Sequence, residues 1–317
     1  MKPFNQVTRE LTLRPFLKRS NVAASWLLVV NYGLIMLAFI LPALVPQWWA
    51  YIVSVVLLGN RQLGLGILMH DCVHSALFKT KSLNILLGEW LCAAPILAQF
   101  KGYQTYHLQH HAKAGTKNDP DYVNYQPYPV SKQSLYRKFT RDILAITGLK
   151  NLFLLFLMHA GTVKYDMAYK PDEKREKLKV SQIAISLINN LYRAVVWHSV
   201  LLSVLTLTGH SALYFLWWVA YLTTFSLFSR IRNAAEHASV PDLLDVDPRL
   251  HARTVYANWF ERLTVAPNHV NFHIEHHWMP QVPPYQLPKL HNYLKQHGAL
   301  DNAEILPNYR AVIHKLA

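Results

Sequence analysis

Nine histidines in this chain fall into four groups whose spacing suits metal ligation. His70 and His74, in HDCVH, stand at i and i+4, so on a helix both imidazoles leave the same face. His107, His110 and His111 in HLQHH occupy i, i+3 and i+4, and His273, His276 and His277 in HIEHH repeat that spacing far downstream. Even in a chain with 17 histidines, two triplets of identical spacing point to a shared task. The ninth, His237, follows Asn233 by four residues in RNAAEH, where the Asn233 oxygen is available to an ion directly or through a water.

Nine imidazoles exceed what one ion accepts, and two ions, each left with an open position, fit better. Imidazole suits iron, zinc, copper or nickel, so ligand type alone does not name the metal. The setting favours iron. Many neutral ligands and open positions beside hydrocarbon suit oxygen activation against carbon-hydrogen bonds, whereas zinc has no redox chemistry. Asp71, Asp119, Asp121 and Glu275 lie beside or shortly after these groups. The three aspartates either accept the second ring N–H of a ligand or cap helices and face solvent, while Glu275 is read as capping or solvated. His159, His198, His210, His251, His269, His291, His297 and His314 lack such spacing and are expected to be structural or surface residues, with His269 the nearest exception.

The elements that position these groups are apolar. Residues 23–44 carry no charge, nor do 47–60 or 194–229. A helix needs about 20 mostly apolar residues to cross a bilayer, and four spans are expected, at 23–44, 47–69, 193–208 and 211–231. They pair into two hairpins whose turns, 42–46 and 209–210, hold no Lys or Arg. The basic residues flank the opposite ends: Lys18, Arg19, Arg61, residues 170–179, Arg193, Arg230 and Arg232. By the positive-inside rule both termini and the middle segment then face the cytoplasm, which brings all nine histidines to one side. Arg61, inside the second span, is expected to snorkel. The apolar stretch 90–100, interrupted by Pro95, is read as interfacial or re-entrant. Trp48, Trp49, Trp217 and Trp218 are read as interface anchors or packing residues.

A net charge of +14 is dispersed around apolar tracts and forms no nucleic-acid-binding motif, so an anionic lipid surface is the simpler partner. The N-terminus lacks the cleavage site of a secretory signal. Two cysteines, Cys72 and Cys92, provide no disulfide framework. No repeat or low-complexity tract divides the chain, and a single membrane domain over 1–317 is expected. Residues 164–179, rich in charge, read as a solvated connection.

At these motifs the sequence resembles the membrane fatty acid desaturase and hydroxylase superfamily, whose members carry HxxxH or HxxxxH, then HxxHH, then HxxHH or QxxHH. NDPD at 118–121 and EHHWMPQVPPYQLPKLH at 275–291 are similar to that family as well. Asn233 with His237 looks like the NxxxH element of its acyl-CoA desaturase branch. The resemblance implies an all-α membrane protein with four transmembrane helices and a cytoplasmic helical cap. It further implies two irons held by His70, His74, His107, His110, His111, Asn233, His237, His273, His276 and His277, beside a narrow acyl tunnel.

The implied reaction is oxygen-dependent desaturation of an acyl lipid or acyl thioester. Neither a haem or flavin motif nor a ferredoxin-like cysteine pattern is present, so electrons are expected from a separate carrier such as ferredoxin or cytochrome b5. Two alternatives stand beside it: a lipid or carotenoid hydroxylase or ketolase on the same metal core, and a non-enzymatic membrane metal transporter or sensor.

Overall fold

The structure, a computed structural model, describes residues 4–167 and 178–317. The described residues are mostly helical. The only ladder among them pairs Thr254–Val255 in parallel with Ile305–Leu306. Four helices are long and apolar enough to cross a membrane: Asn21–Leu44, Trp48–Val73, Val180–Leu207 and Ser211–His237. The first starts where Ser20 accepts a hydrogen bond from the Ala23 amide. Its outer face exposes Val22, Trp26, Met36 and Leu44, side chains that hydrocarbon accommodates and water does not.

Three expected boundaries are corrected. The second helix runs on through Val73, past the expected 69, so His70 lies within its last turn. The third begins at Val180 and not at 193. Its first half carries the polar Ser186 and Asn190, and both donate to the His159 carbonyl, at 2.8 and 3.0 Å. Arg193, expected as a flanking charge, is internal to this helix and pairs with Glu89 at 2.7 Å. The fourth span breaks at Thr223 into Tyr214–Leu222 and Thr224–His237. A Cβ at Gly59 would overlap the Thr224 side chain, so the break admits a close approach to the second helix.

Arg61 does not snorkel. It is 4% exposed, donates to the Asn60 amide oxygen through Nε at 2.8 Å and to Asn31 Oδ1 through Nη1 at 3.2 Å. Asn31 in turn donates to Asn268 Oδ1 at 3.0 Å, and Asn268 donates to the Gly64 carbonyl at 2.8 Å. This amide chain ties the segment before the third histidine group to the middle of the first two spans. A buried polar group left without partners is costly, which is why the set is paired throughout.

Two bent helix pairs complete the membrane-level framework. Lys81–Ile96 and Phe100–Lys113 meet at 98°, and Lys132–Ile143 and Ile146–His159 at 67°. The first contains the stretch read as interfacial or re-entrant, with a π-type turn over Gly88–Ala93 and Leu97 in the left-handed region. The second was not anticipated. Its Ile146–His159 half exposes Leu149, Phe153 and Phe156 and packs so closely on the Thr223 break that a Cβ at Gly148 would overlap the Leu222 carbonyl. Trp48 and Trp49 are exposed at the start of the second helix, whereas Trp217 is fully buried. Of the charged connection 164–179, residues 168–177 lie outside the described residues.

Candidate metal centre

The nine histidines come together. Five of them, His70, His74, His107, His111 and His276, present ring nitrogens that all lie within 4.8 Å of one another. His110, His237 and His277 form a second such set, and His273 joins it with its Nε2 2.9 Å from that of His237. Each triplet therefore divides between the two sets. His107 and His111, one helical turn apart on Phe100–Lys113, face the first, while His110 faces the second. On His273–Trp278, His276 goes to the first set and His273 with His277 to the second.

Contacts within the sets are too many for hydrogen bonds alone and have the spacing of ligands around an ion. His107 Nε2 lies 3.0 Å from Nε2 of both His74 and His111, and His111 Nε2 lies 3.0 Å from His276 Nε2 as well. An imidazole Nε2 carries either one proton or one lone pair, so it cannot bond two nitrogens at once. Two nitrogens bound to one ion at about 2.1 Å and near right angles stand about 3 Å apart, which matches. His70 Nε2 is buried with no hydrogen-bond partner among the described residues, a lone pair aimed into the first set. The donor set thus fits transition-metal cations.

Protonation agrees with this role. Burial pulls His107, His111, His276 and His277 well below the ordinary imidazole range and His74 to about 4. Ligands must be neutral to bind. His110 is the exception. Burial pulls it down too, but its hydrogen bond to Asp119 and the carboxylates of Asp121 and Glu236 outweigh that and raise it. A cation at Nε2 satisfies the same charge preference.

The outer partners fix which nitrogen faces each set. His70 Nδ1 lies 3.0 Å from Asp71 Oδ1, and His110 Nδ1 lies 2.8 Å from Asp119 Oδ1. Asp121 stands farther, with Oδ2 3.6 Å from His110 Nδ1, and accepts the Tyr106 hydroxyl at 2.6 Å. Glu275 corrects the capping or solvated reading: it is fully buried and accepts from Thr254 Oγ1 at 2.6 Å, with His291 Nδ1 also 2.6 Å away. It anchors the short helix of the third group without touching a ligand ring. Asn233 Oδ1 accepts from Arg232 Nη1 at 2.8 Å. His269 belongs to neither set.

Four residues of this shell were missed in the sequence. Glu236 is buried beside Arg232 and 3.4 Å from His273 Nδ1; its position next to His237 was the available signal. His251, expected to be structural, accepts from His237 Nδ1 through its carbonyl at 2.8 Å, and its Nε2 lies 3.5 Å from His277 Nδ1. No spacing rule reaches it. Tyr103 stacks on His107 with centroids 5.2 Å apart, and Tyr125 leans on His237 at 4.9 Å. A void of about 10 Å³ borders His70, His273 and His276, room for about one water.

A family model for fatty acid desaturases matches residues 46–308. The chain is 26% identical over 287 residues to the dihydrorhizobitoxine desaturase of Bradyrhizobium elkanii, covering 90% of this chain and 78% of that one. It is 24% identical to an sn-1 oleoyl-lipid 12-desaturase from Synechocystis, covering 78% of this chain and 69% of that one. With the chloroplastic omega-6 fatty acid desaturase of Brassica napus identity is 23%, over 83% of this chain and 57% of the plant protein.

Proposed function

Because the chain belongs to the fatty acid desaturase family, we propose that it desaturates a lipid acyl chain with dioxygen, using two irons held by the two histidine sets. The observation that carries this reading is the division of nine clustered imidazoles, most of them buried, into adjoining sets of five and four. Bound there, iron would supply the redox chemistry that activates dioxygen and withdraws hydrogen from adjacent methylenes.

The chain's own residues do the rest. His70, His74, His107, His111 and His276 would hold one ion, and His110, His237, His273 and His277 the other. Asp71, Asp119, Glu236 and the His251 carbonyl keep the ring Nδ1 atoms engaged so that Nε2 faces inward. Tyr103 and Tyr125 cover two rings and limit water. Asn233, bonded to Arg232, would reach an ion only by turning its amide or through a water. The substrate chain would enter a narrow tunnel beside the sets.

Sidedness follows from charge. The two connections between consecutive spans lack Lys and Arg, so both termini, the middle segment and the metal centre would face the cytoplasm, with one domain over the whole chain and electrons delivered by a separate carrier. Desaturation is favoured over hydroxylation by the named activities of the relatives. A transporter would string ligands along its spans, whereas here His70 and His237 stand at span ends.

Mass spectrometry of lipids from cells expressing the wild type and His111→Ala tests the reading. Loss of two hydrogens from an acyl chain in the wild type alone is expected. An added oxygen would move the assignment to hydroxylation, and unchanged lipids in both would remove it.

A further inference from the structure

A second cavity lies away from the histidines, between the bent segment that includes residues 89–101 and the third span. It holds about 270 Å³ and is lined by Glu89, Gln99, Phe100 and Lys101 from the bent segment and by Arg193 and Ala194 from the span. Arg193 is placed with care. Nη2 pairs with Glu89 Oε2 at 2.7 Å, and the guanidinium lies over the rings of Tyr192 and Trp90 at 4.5 and 5.6 Å from their centroids. Its Nε is nevertheless buried with no hydrogen-bond partner among the described residues. A buried guanidinium donor left open costs stability, so the side chain gains by turning towards an acceptor oxygen in the cleft.

The surroundings say where such an oxygen would come from. Arg193 sits in a helix long and apolar enough to cross the bilayer, and its neighbours Tyr192, Val195 and Val196 are exposed. The cleft therefore lies beside a helix face that lipid would cover. Phe100 lines the cleft and belongs to the same buried cluster as Cys72, which stands between His70 and His74 in the chain. Phe100 also begins the helix that carries His107, about 10 Å further along its axis.

We infer that this cleft seats the phosphate-ester head of a membrane glycerolipid, with Arg193 and Lys101 binding the phosphate and the acyl chain directed past Phe100. Arginine suits phosphate oxygens through its fork of donors. Two cations, one already shared with Glu89, match a single phosphodiester. The volume is at the lower limit of small-ligand pockets, enough for glycerol and one phosphate and too little for the nucleotide head of a CoA thioester. This rests on the desaturase reading and narrows it to a substrate taken sideways from the bilayer.

Trp90 provides the readout. The full chain in dodecyl maltoside micelles is titrated with phosphatidylglycerol brominated near the head-group end of its acyl chains, and the signal of Trp90→Phe is subtracted. Quenching of Trp90 is expected, with the half-saturating lipid concentration raised about tenfold in Arg193→Gln and unaffected by millimolar sodium phosphate. Ala194→Leu, which fills the cleft and leaves the ion pair, is expected to weaken binding too and serves if Arg193→Gln does not fold.

Equal binding in wild type and both variants overturns the inference, and displacement by inorganic phosphate reduces the cleft to an anion site. In the iron-loaded enzyme, Arg193→Gln is expected to raise KM for phosphatidylglycerol with kcat little changed. Lipid binding as described without any new double bond would retire the desaturase reading and leave the cleft. Desaturation with an unchanged KM in Arg193→Gln and no Trp90 quenching would do the reverse.

Discussion

The Asp119 carboxylate lies 2.8 Å from Nδ1 of His110, and both side chains are buried. The imidazole is thereby turned so that its Nε2 stands 3.3 Å from Nε2 of His277, within the second set. Asp119→Asn keeps an acceptor and removes the charge that makes Nε2 a better donor. Metal affinity of the second set is expected to fall about 10- to 100-fold, measured by competition with a chelator, while the fold by circular dichroism stays the same.

His251 joins two ligands of that set, His237 through its carbonyl and His277 through its ring. His251→Ala removes the ring contact and leaves the carbonyl. A loss of about tenfold in the affinity for one ion of the pair is expected, with the other ion retained. Equal weakening of both would mean that His251 acts on the fold and not on the second set.

Asn31 provides an acceptor for the buried Arg61. Asn31→Leu strands a guanidinium nitrogen and the Asn268 oxygen and is expected to cost about 2 kcal/mol. Trp26→Ala, on the exposed face of the same helix, is expected to stay within about 0.5 kcal/mol. Thermal unfolding of the two variants in detergent compares them.

Acid should destabilise the metal-free protein through residues such as His74. Burial holds its folded value near 4, below the ordinary imidazole value of about 6.5, so the folded state binds fewer protons than the unfolded one. The stability tied to its neutral form is complete above about pH 6.5 and lost as pH falls towards 4. The melting temperature of the metal-free protein is expected to drop through that window, and bound metal to delay the drop. A flat profile would contradict the buried neutral state.

Local periodicity carried the reading of the site. His107, His110 and His111, like His273, His276 and His277, reveal themselves because helical spacing gathers them on one face. The division of each triplet between two sets was not legible, since it depends on how two helices meet. Glu275 and His251 were misread for a related reason: their partners Thr254, His291, His237 and His277 are 14 to 26 residues away. The four spans were legible from hydropathy, but not the early start of the third, where Ser186 and Asn190 are satisfied by His159. The break at Thr223 depends on contact with Gly59 and Gly148, and Arg61 on Asn31. Tertiary pairing decided each of these.

The count of iron per chain in purified protein, by elemental analysis of the wild type and His277→Ala, tests the central claim most directly. The account predicts close to two irons in the wild type and a loss confined to one of them in the variant, because His277 belongs to one set only. Zinc in place of iron, or a single iron that His277→Ala does not disturb, would contradict it.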